Sequence, residues 1–238
     1  MSRNTIRTAT LADALVTRLR AEVRTRDLRL SSETDFHAWA TELGGAPGIT
    51  AVSQAFDPAY CDLSEAFWLR LHDGGQLLGT IAGKRLVGDF VALQRSGELW
   101  FGRRAGEFAP LALDIPDGVP DLRGNLGYFG ALWLHPEVRG LGLAGPMARL
   151  VRAMAMRAWD LDWLCGGVLQ DLALRGIPTR VYGYAHCVRI SSEILFPVTG
   201  APAVLYMPWE SRGEWLASTD GYLQTHAGGR AEPAVRRA

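Results

Sequence analysis

The residues best placed to do chemistry here have almost no side chains. Arg139-Gly140-Leu141-Gly142-Leu143-Ala144 follows an apolar run that ends in His135-Pro136, and it leads straight into an amphipathic helical pattern. The first N–H groups of a helix have no intrahelical partner and sit at the positive end of its dipole. Glycines let a phosphate come close to them. Pro146 fits only in a first turn, where its missing N–H costs little, so the helix is expected to start near Leu143. The plainer reading is a tight strand-to-helix turn with no ligand. Against it, Gly140, Gly142 and Gly145 weaken a helix unless something must approach the backbone.

Two phosphate ligands compete. Gly140-x-Gly142-x-x-Gly145 fits the G-x-G-x-x-G pattern of dinucleotide sites, which also needs a βαβ unit and an acid at the end of the next strand. The next strand is expected at residues 162–168. Asp160 and Asp162 stand before it or at its start, and Cys165 sits where the acid should be. Segments upstream read as antiparallel hairpins.

The other reading rests on Leu132-x-Leu134-x-Pro136-x-x-Arg139-x-x-Gly142-x-Ala144, which resembles motif A of the GNAT superfamily of N-acyltransferases. The resemblance extends loosely over residues 64–210. It implies an α/β fold of the α+β type: a mixed, mostly antiparallel central sheet flanked by helices, with a splayed site between the two central strands. It implies acetyl-CoA as co-substrate and no metal. It assigns Arg139, Gly140, Leu141, Gly142, Leu143 and Ala144 to the pyrophosphate, Leu132 and Leu134 to the strand that pairs with the pantetheine arm, and the Leu134 N–H to the thioester oxygen. The Arg139 side chain either adds charge to the phosphate site or caps the loop.

Bulk composition narrows the partners. Lys+Arg and Asp+Glu are 25 each, without the basic bias of a nucleic-acid binder. Cys61, Cys165 and Cys187 form neither a paired framework nor a metal spacing, which fits a reduced, cytoplasmic setting. Cys165 reads as a core thiol. The polar N-terminus shows no signal peptide, and no run is apolar enough for a membrane helix. A homodimer is compatible with the chain, although no pattern specifies one.

The supporting elements follow from periodicity and turn chemistry. A surface helix is expected at residues 11–23. A second is expected at 33–44, opened by a capping box at Ser32-x-x-Asp35. Residues 66–72 alternate as a strand, Asp73-Gly74-Gly75 turns, and 76–82 returns. Family members carry such a hairpin just before motif A. Here residues 84–125 intervene, with strand material expected at 87–92 and 98–101 and a loop at 109–123. That segment is read as a binding element or as a hairpin covering a sheet edge. In the motif A helix, Met147, Leu150, Val151, Met154 and Ala158 form one stripe, with Arg149, Arg152 and Arg157 elsewhere on the surface. Further expectations are a helix at 169–175, strands within 182–190 and 203–209, and a disordered tail at 226–238. Residues 1–225 are taken as a single domain, in which the N-terminal helices of residues 1–50 form part of the acceptor wall.

Amide formation from a thioester needs a neutral amine and a stabilised oxyanion. Many relatives place a glutamate on or near the motif A strand, but residues 127–134 contain no acid. Many also carry a tyrosine four residues before the glycine of a Gly-Phe pair. If Gly183-Tyr184 is that pair, the position holds Thr179. The remaining candidates are Tyr128, which opens the strand, Tyr182 as an acid for the thiolate, and His186 as a base near neutrality. Each has a plainer reading as strand structure. Proximity alone, with water taking the proton, needs no named base. His135 is read as local structure.

The leading expectation is an N-acetyltransferase acting on a primary amine of a small molecule by direct attack in a ternary complex. A non-catalytic acyl-CoA-binding module of the same fold is the alternative. A nicotinamide-dinucleotide enzyme is a third.

Overall fold

The computed structural model describes residues 3–49, 52–196 and 201–226. The tail expected at 226–238 lies, from residue 227 on, outside the described residues.

In chain order the elements are α1 (Arg3–Arg24), β1 (Arg29–Glu33), α2 (Phe36–Gly44), β2 (Ala66–His72), β3 (Leu77–Asp89), α3 (Phe90–Arg95) and α4 (Glu98–Phe101). Then come β4 (Arg123–Leu134), α5 (Ala144–Trp159), β5 (Trp163–Gly166), β6 (Val168–Leu169), α6 (Gln170–Leu174) and α7 (Ile177–Arg180). The chain closes with β7 (His186–Arg189), β8 (Ile194–Phe196), β9 (Ala201–Ala203), β10 (Leu205–Ser211) and α8 (Arg212–His226).

Among the described residues, eight strands form the main sheet, and β8 with β9 makes a small separate hairpin. From β1 to β4 every pairing is antiparallel. β4 and β5 run parallel, with α5 as the crossover between them. β10 pairs antiparallel with β5 and β6 along one edge and with β7 along the other. This is the mixed, mostly antiparallel sheet expected, and it contains one βαβ unit instead of the repeated units of a dinucleotide fold.

Strand alternation divides the core in two. In β2, Ala66 and Trp68 face the layer made by α2, α3 and α4, while Phe67, Leu69 and Leu71 face α1 and α5. The first layer stacks Phe36 on Phe56 and Phe56 on Tyr128. The second holds Met147, Leu150 and Val151 of α5 against the sheet and α1.

Several expectations change. Asp35, not Ser32, caps α2, its carboxylate accepting from the N–H groups of His37 and Ala38, and Ser32 belongs to β1. Residues 98–101 are helix, and 90–95 leave β3 for α3, because the Asp89 carboxylate takes the Ala92 N–H and starts a helix there. The strand pair itself continues far beyond residue 84, as far as Asp89 opposite Arg123. Residues 90–122 are therefore not a hairpin covering a sheet edge. They bring Phe90, Leu99, Trp100 and Phe101 into the core. α1 packs on α5, leaving α2 as the N-terminal helix on the opposite layer. In α5 the buried arc is wider than one stripe, because the sheet and α1 cover different sides. Ala153, Ala155 and Met156 are buried, Ala158 is exposed, and Arg152 is 1% exposed rather than on the surface.

α8 was not foreseen. Its signal was present: Ser211-x-x-Glu214 closes a capping box, the Ser211 hydroxyl facing the Glu214 N–H while the Glu214 carboxylate accepts the Ser211 N–H at 2.8 Å.

Candidate active site

The site is made where β4 parts from its neighbour. The parallel pairing runs from Leu126 opposite Trp163 to Phe129 opposite Gly166 and stops there. Two local features cause the divergence. Thr80 of β3 faces Trp133 of β4 and Ala82 faces Gly130, so Ile81 stands opposite two residues of β4, Ala131 and Leu132. This is a β-bulge, and Ala131 adopts φ +54° within it. A non-glycine residue in that region costs about 1–2 kcal/mol, so the surrounding packing must hold it there. On the other side, the chain breaks at Gly167 and β6 stays with β10.

Two cavities meet at this gap. One, of about 210 Å³, lies toward α5 and is walled by Phe129, Leu132, Ala148, Tyr182 and Tyr184. The other, of about 280 Å³, lies on the α3–α4 side and is walled by Gln94, Trp100, Tyr128, Leu205 and Tyr206. Gly130, Ala131, Gly167, Val168 and Leu169 line both. Among the described residues, no carboxylate lines either one.

The glycine turn lies past the far end of β4. Gly140 and Gly142 have φ +80° and +73°, and a Cβ on either would meet nothing within 4 Å. Their lack of a side chain is required by backbone conformation and leaves the space above them open. Gly145 differs. A Cβ there would fall 2.9 Å from the Val181 carbonyl oxygen, so this glycine serves the close approach of the chain after α7. Leu143 is buried as an anchor, while Leu141 is exposed. Among the described residues, no backbone hydrogen bond uses the N–H of Gly140, Gly142, Leu143 or Ala144. Pro146 falls in the first turn of α5. The turn thus offers free N–H groups at the start of a 16-residue helix.

The Arg139 guanidinium folds back and donates from Nε to the Leu134 carbonyl at 2.9 Å. The His135 N–H donates to Leu78, so Leu134 occupies the register position whose backbone groups point away from β3. Leu132 reaches the cavity wall and Leu134 does not. His135 is local structure, its ring bonded to Gln76 Nε2 at 3.1 Å and facing the Glu137 N–H.

The three candidate side chains separate. Tyr128 lies in the gap. Its hydroxyl is 3.5 Å from the Cβ position of Gly130 and 3.4 Å from that of Gly167. Burial pushes its phenol up to about 12, despite a hydrogen bond with Trp100 that acts the other way. Tyr182 lines the α5-side cavity, and burial raises its phenol too. Its carbonyl is held by the Arg152 guanidinium. His186 lines neither cavity. Its ring stacks on Trp209 at 3.9 Å and bonds to Glu214 at 2.6 Å. Burial works to raise the Glu214 carboxyl, but the Ser211 N–H and hydroxyl and the His186 ring hold it below its ordinary range. Cys165 is buried, and desolvation pushes its thiol far up, as a core thiol requires.

Gln94, Leu205 and the Gly166-Gly167 pair were missed as site residues. The paired glycines inside a strand were the available signal, since glycine there marks a close approach. A Cβ on Gly166 would sit 3.2 Å from both the Phe129 carbonyl and the Tyr184 hydroxyl.

The hairpin, bulged strand, glycine turn, crossover helix and diverging parallel strand together frame the gap. Among solved structures, the chain is similar to Arabidopsis thaliana NAA60 in complex with acetyl-CoA, at 12% identity over 78% of this chain and 99% of that one (TM-score 0.46). It is also similar to the ribosomal-protein-S18-alanine N-acetyltransferase from Escherichia coli, at 12% identity over 77% and 93% (TM-score 0.44). A third is FeeM, an N-acyl amino acid synthase from uncultured soil microbes, at 16% identity over 85% and 86% (TM-score 0.39). No protein-family profile and no curated protein matches the chain.

Proposed function

We propose that this protein is an acyl-CoA-dependent N-acyltransferase, with residues 1–225 as one catalytic domain in a reduced, cytoplasmic setting. The observation that carries this reading is the alignment of three features along β4: free N–H groups at the glycine turn, outward-facing backbone at Leu134, and a cavity opening at Gly130, Ala131 and Leu132. The turn N–H groups hold the pyrophosphate, and Leu134 and Leu132 pair with the pantetheine arm. An extended strand rises ~3.3 Å per residue, so Ala131 lies roughly 10 Å back from Leu134; in this reading the thioester carbon sits at the gap, and the Leu134 N–H serves the pantetheine arm instead of the thioester oxygen to which the motif A resemblance assigned it.

The amine of a small molecule attacks that carbon directly. The C–N bond forms, the carbonyl oxygen becomes an oxyanion, and collapse breaks the C–S bond. Tyr128 acts as a hydrogen-bond donor. With its phenol at about 12 it is protonated at neutral pH, yet it is a weaker acid than a thiol of ~8.5, so it stabilises developing charge without surrendering its proton. Tyr182 is placed for the departing sulfur on the α5 side. The attacking amine loses its proton to water, since no carboxylate among the described residues lines either cavity and proximity supplies the rate. We assign His186 to structure, bracing the start of α8 against β10.

The test is thermal shift and calorimetry with acetyl-CoA, CoA and NAD on the wild type and on Gly142→Glu, which sets a carboxylate against the pyrophosphate. Stabilisation by the CoA compounds alone, lost in the variant, is the expected result. A shift with NAD and none with CoA would reverse the assignment. Firm CoA binding with no turnover across a broad amine panel would leave a binding module instead of an enzyme.

A further inference from the structure

We propose that the cavity on the α3–α4 side is an acyl pocket, built for the hydrocarbon chain of a donor thioester longer than acetyl. This deepens the acyltransferase reading and rests on it.

Continuity is the first argument. The two cavities share the wall formed by Gly130, Ala131, Gly167, Val168 and Leu169. A thioester lying along β4 therefore directs its acyl group through the gap into the second cavity. The gap stays open because both flanking positions are glycine. A Cβ on Gly130 would stand 3.4 Å from Phe56 and 3.5 Å from the Tyr128 hydroxyl, and one on Gly167 would stand 3.4 Å from that hydroxyl. Longer side chains at either position would project into this passage.

The chemistry of the wall is the second argument. An amine acceptor reaches the protein as a hydrated ammonium and needs carboxylates or several acceptors to replace its water. Apart from Ser53 and Gln94, this cavity offers aromatic rings, Val168, Leu169 and Leu205, and among the described residues its ionisable lining groups are tyrosines. Gln94 is 1% exposed, and its amide nitrogen is directed at the Met207 sulfur at 3.4 Å. Such walls gain by burying methylenes and gain nothing from a cation.

Size is the third. The cavity, at about 280 Å³, matches roughly nine waters at ~30 Å³ each, far more than the methyl of an acetyl group requires.

The experiment is a calorimetric affinity series with CoA, acetyl-CoA, hexanoyl-CoA and decanoyl-CoA, read as the ratio of decanoyl-CoA to acetyl-CoA affinity within each protein. The expected gain is about fourfold per methylene until the pocket is full. Gly167→Val, which narrows the passage, should lower the ratio at least tenfold. Leu205→Ala, which deepens the pocket, should move the best chain to a longer one. Equal affinity along the series, with CoA itself bound firmly, would overturn the acyl pocket and leave the acyltransferase reading standing. Absence of binding by every CoA compound would overturn both. The wild-type series decides the matter even where a variant fails to fold.

Discussion

Arg152 Nη1 donates to Glu210 Oε1 across 2.7 Å, with side chains 2% and 0% exposed. The same guanidinium donates to the Ala148 carbonyl and to the Tyr182 carbonyl, and it lies 4.1 Å over the Tyr184 ring. One cation thus ties α5, β10 and the segment that carries the cavity tyrosines. Burial raises the Glu210 carboxyl, and Arg152 pulls it back down. Glu210 Oε2 has no hydrogen-bond partner among the described residues, so Arg152 is the main support of the carboxylate, with smaller attractions from Arg149 and His186.

Arg152→Met should therefore destabilise the fold by about 3–5 kcal/mol, because it strands a buried carboxylate. The double variant with Glu210→Met should recover most of that loss. Urea denaturation of the two single variants and the double gives the coupling. Additive losses would show that the pair does not act as a unit.

The glycines of the turn should fail in different ways. Gly145→Ala forces a methyl against the Val181 carbonyl at 2.9 Å and should cost about 1–3 kcal/mol of stability. Gly142→Glu meets open space but a positive φ, so it should cost about 1–2 kcal/mol and abolish CoA binding. Denaturation midpoints together with CoA titrations separate the two effects.

Tyr128→Phe keeps the ring stack on Phe56 and removes only the hydroxyl. If that hydroxyl stabilises the reacting group, kcat should fall about 10²–10³-fold with little change in KM. A phenol at about 12 should add no break to the pH–rate profile near neutrality. Tyr182→Phe, assayed alongside, reports on the sulfur side of the site. An unchanged kcat in Tyr128→Phe would remove Tyr128 from the mechanism.

Lys84 is buried, donating to the Ala55 and Leu99 carbonyls at 2.7 and 2.8 Å and lying 3.6 Å from the Cys61 sulfur. Burial lowers its pKa, with Cys61 acting in the opposite direction. Between the folded value and the ordinary lysine value, the unfolded chain holds more protons, so this group makes stability rise with pH. Cys61, raised by burial, works the other way in the alkaline range. Lys84→Met should lower stability near neutrality by leaving two carbonyls unpaired, about 1–3 kcal/mol each. Its deficit relative to the wild type should widen as pH rises through that window. Cys61 loses the lowering influence of Lys84 in the variant, so its own downward slope steepens there and adds to the widening. A deficit independent of pH would contradict the assigned shift.

The sequence by itself determined whatever is written in neighbouring residues. The 66–72 strand, the Asp73-Gly74-Gly75 turn and the start of α5 just before Pro146 follow from alternation, turn chemistry and the proline's missing N–H. The open turn at Gly140 and Gly142 is equally local, because glycine adopts readily the positive φ that both positions take. Tertiary structure decided the rest. Residues 98–101 have strand-like composition, yet they form a helix because the sheet face carrying Tyr128 needed a cover. Arg152 reads as a surface residue until β10, far along the chain, brings Glu210 to it. His186 and Tyr128 were equal candidates by residue type. Strand pairing put one in the gap and the other against Glu214 at the far side of β10. The gap itself exists only because a bulge at Ala131 and a break at Gly167 fall opposite each other on two strands, and no local pattern records that register.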